Sequence, residues 1–240
     1  LSIEKPFQFK RFAVSQSGCA MKVNTDGVLL GALAGRKSPA AILDVGTGTG
    51  VIALMLAQRF KNAVIDAVEI ETSAAIAAQK NFSGSSFKDR LNLFSESFQE
   101  YSKKHPLKKY DLIASNPPFF LNSLKNQDKL KETARHAGSN FFPDLIDFGV
   151  KHLASQESCM MLILPPETAA VVIAEGEKYG LKLQGQTHIH SFPDQPPYRS
   201  IIALGFGIKY VEENAVVIYK SQKQYSEQYK HLLKDFLTIF

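Results

Sequence analysis

The sequence predicts an α/β fold: a mostly parallel sheet with helices on both faces and an antiparallel element at its end. Three observations predict it. Short, almost wholly apolar runs alternate with helix-length segments from Ala41 onward. The first run, Ala41-Ile42-Leu43-Asp44-Val45, opens into a glycine loop, Gly46-Thr47-Gly48-Thr49-Gly50. Two late strand-like runs, 201–208 and 215–219, are separated by Glu212-Glu213-Asn214 and read as a hairpin.

The elements follow in order. Residues 1–12 interleave Lys5, Lys10 and Arg11 with Phe7, Phe9 and Phe12, alternating like an edge strand. Thr25 or Asp26 is expected to cap a short apolar helix that residues 35–39 end. Strands are expected at 41–45, 64–69, 91–94, 111–115, 159–164, 184–190 and 201–208. Helices fit 49–60, 72–82, 97–104, 143–154 and 167–179. The first strands lack polar alternation because helices would cover both their faces. Ser83-Gly84-Ser85-Ser86 reads as a loop, and Pro165-Pro166 stops a strand before a helix. Residues 120–142 have no clean period and read as an insertion with a lysine-rich, helix-like piece. Tyr225, Tyr229, Leu232, Leu233, Phe236, Leu237 and Phe240 fall three or four apart, an amphipathic helix that covers the sheet.

Composition excludes several classes. Of 240 residues, the only cysteines are Cys19 and Cys159, which argues against a disulfide scaffold or thiolate zinc site and for a reducing cytoplasm. No run reaches 18 apolar residues without a charge, so no membrane partner is expected. The start, Leu1-Ser2-Ile3-Glu4-Lys5-Pro6, lacks the basic-then-apolar order of a secretory signal. A net charge of +5 is compatible with a polyanionic partner without requiring one. His/Cys/Asp clusters with metal-ligand spacing are missing, so no metal is expected, and His152 and His136 read as surface or loop residues. Gly-x-Ser-x-Gly is absent too, which removes one hydrolase class.

Two motifs carry chemistry. A turn after a buried strand needs residues without a β-carbon where a ligand approaches the peptide groups, and Gly46, Gly48 and Gly50 supply them. The loop lacks the Gly-Lys-Ser/Thr of a P-loop. Asp44, two residues before the first glycine, opposes a pyrophosphate but suits a ligand ammonium. Glu69, at the end of the second strand, is placed to accept both ribose hydroxyls. The second motif is Asn116-Pro117-Pro118-Phe119, closing the strand-like run 110–115. An exocyclic amine whose lone pair is delocalised needs acceptors for its N–H bonds while the nitrogen turns toward an electrophile. An asparagine oxygen and a neighbouring carbonyl provide them. Pro117 fixes the backbone, and Phe119 can stack on a base for about 1–3 kcal/mol.

Asp44-Val45-Gly46-Thr47-Gly48-Thr49-Gly50 together with Asn116-Pro117-Pro118-Phe119 resembles the class I S-adenosylmethionine-dependent amino-methyltransferases. The resemblance spans nearly the whole chain. Phe7-x-Phe9-Lys10-x-Phe12, the run from Ala20 to Ala32 and Ala134-Arg135-His136 narrow it to the bacterial family that N6-methylates adenine 37 of valine tRNA. It implies a Rossmann-like, seven-stranded sheet with helices on both faces and the last strands antiparallel. Residues 1–34 would be an extension over substrate and cofactor, and 35–240 the methyltransferase domain, compact overall. It implies S-adenosylmethionine as donor, S-adenosylhomocysteine as product and no metal. Asn116, Pro117 and Phe119 would be catalytic. Lys22, Thr25 and Asp26 would lie beside the methionine end of the cofactor, with Asp44, Gly46, Gly48, Gly50 and Glu69 around the rest and Phe98 near its adenine. The usual tyrosine of the tetrapeptide is Phe119, which keeps the ring and loses a hydroxyl.

The substrate implied is tRNA, bound by a cytoplasmic monomer. Lys5, Lys10 and Arg11, then Lys125, Lys129, Lys131 and Arg135 beyond the tetrapeptide, and Arg199 in the proline-rich 192–199 loop are candidate phosphate contacts. Each basic cluster also suits a solvated face. The same chemistry on ribosomal RNA, DNA or a protein glutamine stands as an alternative, as does a non-catalytic RNA-binding module.

Overall fold

Parallel pairing of the short apolar runs builds the centre of the molecule, in a computed structural model that describes residues 5–19, 21–35, 37–118, 140–207 and 211–240. After a small hairpin, β1 (Phe7–Gln8) and β2 (Ala13–Val14), comes helix α1 (Thr25–Leu33). Then β3 (Ala41–Val45), α2 (Val51–Arg59), β4 (Val64–Val68), α3 (Thr72–Ser83), β5 (Leu91–Phe94), α4 (Phe98–Lys104) and β6 (Leu112–Ser115) alternate as expected. Helix α5 (Phe141–His152), β7 (Cys159–Leu164), α6 (Pro166–Lys178), β8 (Lys182–His190) and β9 (Arg199–Gly205) follow. The chain ends with β10 (Glu212–Val217), β11 (Tyr219–Ser221), β12 (Gln224–Tyr225) and α7 (Glu227–Leu233).

The main sheet has the order β10-β8-β9-β7-β6-β3-β4-β5, with β9 antiparallel to both neighbours and the other pairings parallel. Among the described residues it therefore has eight strands where seven were expected. The eighth corrects the late hairpin: β10 pairs with β8, Ala215 opposite His188, not with β9. Just after β9, Gly207 O accepts from Gln184 Nε2 of β8 at 2.9 Å. Strand β8 is thus inserted between the two arms.

Two apolar layers cover the sheet. One gathers Leu29, Ile42, Leu54, Leu56 and Ile65 with Phe9, Phe12, Leu233 and Phe236; the other gathers Leu43, Ile113, Phe148, Leu162 and Val172. The N-terminal segment is not an edge strand of this sheet. Phe9 and Phe12 stack at 4.4 Å between centroids and turn into the core, and Lys10 N–H donates to Phe236 O at 2.8 Å. Burying two rings outweighs a regular strand there. The cap of α1 is Asn24, whose Oδ1 accepts from Gly27 N at 2.9 Å, rather than Thr25 or Asp26. His152, expected at the surface, is fully buried at the end of α5 between Ser102 Oγ and Lys108 O, both at 2.8 Å. Stacking on Phe148 explains its burial, which holds its pKa below the usual histidine value.

Candidate active site

Because β3, β4 and β6 run parallel, their carboxyl ends share one rim, and a cleft of about 500 Å³ opens there. Its floor is the glycine loop. Gly46 and Gly48 hold φ of +69° and +58°, and a Cβ added to either would meet nothing within 4 Å, so their peptide faces stay open to the cleft. Gly46 and Thr47 donate to Val68 O at 2.9 and 3.1 Å, hooking the loop over β4. Gly50 serves packing instead. At φ +85° its missing Cβ would lie 2.5 Å from the Phe82 ring, and it is not part of the cleft wall.

Glu69 forms the wall. It is 8% exposed; one oxygen accepts from Gly48 N and the other from Glu71 N, both at 2.8 Å. The carboxylate thereby joins the loop after β3 to the turn after β4. Asp44 supports the loop from below, accepting from Thr47 Oγ1 at 2.6 Å and Ala53 N at 3.2 Å through one oxygen. Its other oxygen is buried with no hydrogen-bond partner. Burial pushes its carboxyl up to about 7, and the charge of Glu69 adds to the rise, against the bonds from Thr47 and Ala53.

Asn116 and Pro117 follow β6 directly and, with Pro118, line the opposite side. Ser115 Oγ donates to Val45 O at 2.7 Å, fixing the end of β6 against the end of β3. The asparagine and the glycine loop therefore belong to one cleft. Phe98 lines it from the first turn of α4, held by edge contacts to Phe141 and Phe148 at 5.8 and 5.6 Å. Ser97 caps that helix in a reciprocal pair with Glu100, and Glu96 is paired to Lys104.

Other candidates are placed elsewhere. Lys22 and Thr25 are exposed and not in the cleft lining; Met21 is the described residue of that segment that lines it. Asp26 pairs with Arg199 Nε at 2.7 Å, so two residues expected to serve different ligands hold each other. Lys5 and Arg11 are exposed, while Lys10 Nζ donates to Lys234 O and Phe240 O at 2.5 and 2.7 Å, fastening the first residues to the last. Phe119, Lys125, Lys129, Lys131 and Arg135 lie outside the described residues, as does most of the 120–142 segment.

The cleft also contains residues that sequence reasoning missed: Ile70, Glu71, Gln99, Phe141 and Asp144. Glu71 had a signal, since Glu71-Thr72-Ser73 precedes a helix and its side chain caps α3 through Ser73 N and Ala74 N. Asp144 and Phe141 had none, because they follow a segment without period. Glu69, Glu71, Glu96 and Asp144 give the cleft four carboxylates, and among the described lining residues there is no Lys or Arg. In a chain of net charge +5, this cleft favours a cation and disfavours a phosphate. No group of three metal-ligating side chains occurs among the described residues.

Residues 24–143 match the family model described as the methyltransferase small domain. Over 99% of its length and 100% of the relative's, the chain is 44% identical to a tRNA1(Val) (adenine(37)-N6)-methyltransferase of Pedobacter heparinus. It is 41% identical to the protein so named in Parabacteroides distasonis and 38% to that of Actinobacillus pleuropneumoniae, covering 96% of both chains in each case. Among solved structures, a predicted O-methyltransferase from Agrobacterium tumefaciens superimposes with TM-score 0.66 at 18% identity, covering 88% of this chain and 96% of that one. A type I restriction-modification methyltransferase subunit from Streptococcus thermophilus gives TM-score 0.59 at 15% identity, covering 90% of this chain and 52% of that one. Those two likenesses concern the fold alone.

Proposed function

The chain belongs to the tRNA1(Val) (adenine(37)-N6)-methyltransferase family, and from that premise we propose that it transfers a methyl group from S-adenosylmethionine to an adenine N6 in tRNA. The adenine is number 37 of valine tRNA, the substrate in the names of its relatives. The observation that carries the reading is Asn116-Pro117-Pro118 in the same cleft as the glycine loop and Glu69.

The residues present fit the donor on three counts. Gly46 and Gly48 leave a cradle that a side chain would fill, Asp44 beneath it keeps an orphaned buried oxygen, and four carboxylates with no Lys or Arg among the described lining residues suit a cationic ligand. Gly46 and Gly48 would hold it from below, Glu69 would accept its ribose hydroxyls, and Phe98 and Ile70 offer apolar surface to its base. When bound, S-adenosylmethionine supplies a methyl group on a sulfonium, a strong electrophile needing no metal.

The chain's own work is positioning. Asn116 accepts an N6–H bond through its carboxamide oxygen, which holds the amine while its lone pair turns out of conjugation. Pro117, with φ locked and no N–H, keeps the adjacent carbonyl as a second acceptor at low entropic cost. As N6 gains positive charge, both acceptors bind more strongly, which is where rate is gained. The proton leaves to solvent after transfer. An adenine in an unpaired loop enters at lower cost than one in a duplex.

The test is incubation with labelled methyl donor and separate pools of tRNA, ribosomal RNA, DNA and protein, read by nucleoside mass spectrometry. The expected product is N6-methyladenosine in tRNA. Label confined to DNA or protein would sink the reading.

A further inference from the structure

We propose that the hairpin β11–β12 and the start of α7 form a second tRNA-docking surface, which grips backbone phosphates of the stem while the anticodon-loop base occupies the cleft. This rests on the functional reading above. Strand β10 runs parallel to β8, and β8 runs antiparallel to β9 as β7 does, so the carboxyl end of β10 lies on the same rim as Asn116. The hairpin follows that end directly. Strands β10 and β6 are four positions apart, about 19 Å at a spacing of about 4.8 Å, beyond the reach of the methylated nucleotide itself.

A depression of about 320 Å³ opens there, lined by Lys220, Lys223, Gln224, Tyr225, Lys230 and Phe240, with no Asp or Glu among its lining residues. Some surface lysines are neutralised by a carboxylate, as Lys37 is by Glu157, Lys151 by Asp147 and Lys178 by Glu175. Lys220 and Lys223 make no ion pair within 4 Å among the described residues; Glu227, beside the depression, pairs with Lys230 at 2.8 Å and feels the charge of Lys220, which leaves an excess of positive charge from three lysines against one carboxylate. The described lining of the cleft, four carboxylates with no Lys or Arg, disfavours phosphate, so a polyanion that presents a base to Asn116 gains from having its backbone held elsewhere on the rim. The lysine hairpin has the complementary charge.

The platform is also rigid. Tyr219, Tyr225 and Tyr229 stack in series at 5.0 and 5.3 Å, and Phe192 of the loop after β8 joins at 5.6 Å. Ser226 caps α7 by accepting from Tyr229 N at 3.0 Å, donates its hydroxyl to Val217 O at 2.5 Å and its N–H to Ile218 O at 2.8 Å. Cations on a fixed base lose less freedom on meeting a phosphate than cations on a loose tail.

The test compares wild type with Lys220→Ala/Lys223→Ala/Lys230→Ala and the corresponding triple arginine variant. Methylation kinetics are measured on full-length tRNA and on an isolated anticodon-loop oligonucleotide, and donor-free RNA binding is measured by anisotropy at several salt concentrations. Expected for the alanine variant is a KM for full-length tRNA raised about tenfold at 0.1 M salt, with kcat within twofold. The slope of log affinity against log salt should fall by about 2 to 3. On the loop oligonucleotide the KM should stay within twofold, and the arginines should restore binding to full-length tRNA. Unchanged KM and salt slope in a variant with wild-type melting temperature would overturn the surface, and so would an equal loss on the loop oligonucleotide. If wild type binds tRNA but methylates none of it, the functional reading fails, while the salt slopes still decide the surface on their own.

Discussion

Two buried aspartates on neighbouring strands receive opposite treatment. Asp66, 2% exposed on β4, accepts from Asn92 Nδ2 at 2.8 Å, Tyr110 OH at 2.7 Å, Lys108 Nζ at 3.1 Å and Tyr101 OH at 3.2 Å. Burial pushes its carboxyl up, yet the bonds from Asn92, Tyr110 and Lys108 outweigh it and leave its pKa below the ordinary value. Asp44, fully buried on β3, keeps one oxygen without a partner and is pushed up to about 7. The register Leu43↔Asp66 puts the two on opposite faces of the sheet. A fully satisfied carboxylate fastens α4 and the Tyr110 segment to the sheet. An incompletely satisfied one beneath a glycine loop leaves a buried oxygen without a protein partner.

Breaking that contrast should give separable effects. Asp66→Ala leaves two tyrosine hydroxyls, an amide and an ammonium without their acceptor, and should cost about 3 kcal/mol of stability. Thermal unfolding should show it as a Tm lower by roughly 6–12 °C, while calorimetry finds donor affinity within twofold of wild type. Gly50→Ala should cost about 2 kcal/mol, since it strains a left-handed residue and drives a Cβ into Phe82. Gly48→Ala, with open space in place of that ring, should weaken donor binding at a smaller cost in Tm.

Asp44→Asn should weaken the donor about tenfold, or about 1.4 kcal/mol, and leave Tm at pH 8 no lower than wild type. An undiminished donor affinity would make Asp44 structural, like Asp66. The smallest effect is in pH dependence. Asp44 has a folded pKa of about 7 against about 3.9 unfolded, so its contribution to stability is full below about pH 4 and lost as pH rises toward 7. Asp66 has the opposite sign: its contribution is present above about pH 3.9 and is lost as pH falls through the lower folded value. Melting curves from pH 3 to 8 should show each variant losing the matching part of the wild-type profile. Donor affinity of wild type should rise through pH 7, and that rise should vanish in Asp44→Asn.

Much of this was legible in the residues. Strands 41–45, 91–94 and 159–164 fall at the expected bounds because turn signals or charge bracket each apolar run. The glycine loop, Glu69 and Asn116 were legible because ligand-facing turns demand particular residue types at fixed distance from a strand end. Strand pairing was not. Residues 212–217 have the right direction for a hairpin arm, but side-chain pattern does not say which neighbour a strand joins, and the holding contact is Gln184 to Gly207. The Asp66 network was hidden because its donors come from β5, α4 and the segment before β6. Lys10 and Arg199 carried the charge a phosphate contact needs, and the fold gives them other partners: main-chain carbonyls and Asp26. Charge in a sequence identifies a donor; the fold chooses what it meets.

The most direct test of the catalytic assignment is the single-turnover methylation rate of Asn116→Ala at saturating tRNA and donor, with donor affinity measured on the same preparation. Loss of a positioned acceptor should lower the rate by about 10² to 10³. Donor affinity should stay within threefold, since Glu69 and the glycine loop are untouched. A rate within threefold of wild type would contradict the placement of Asn116 at the reacting nitrogen.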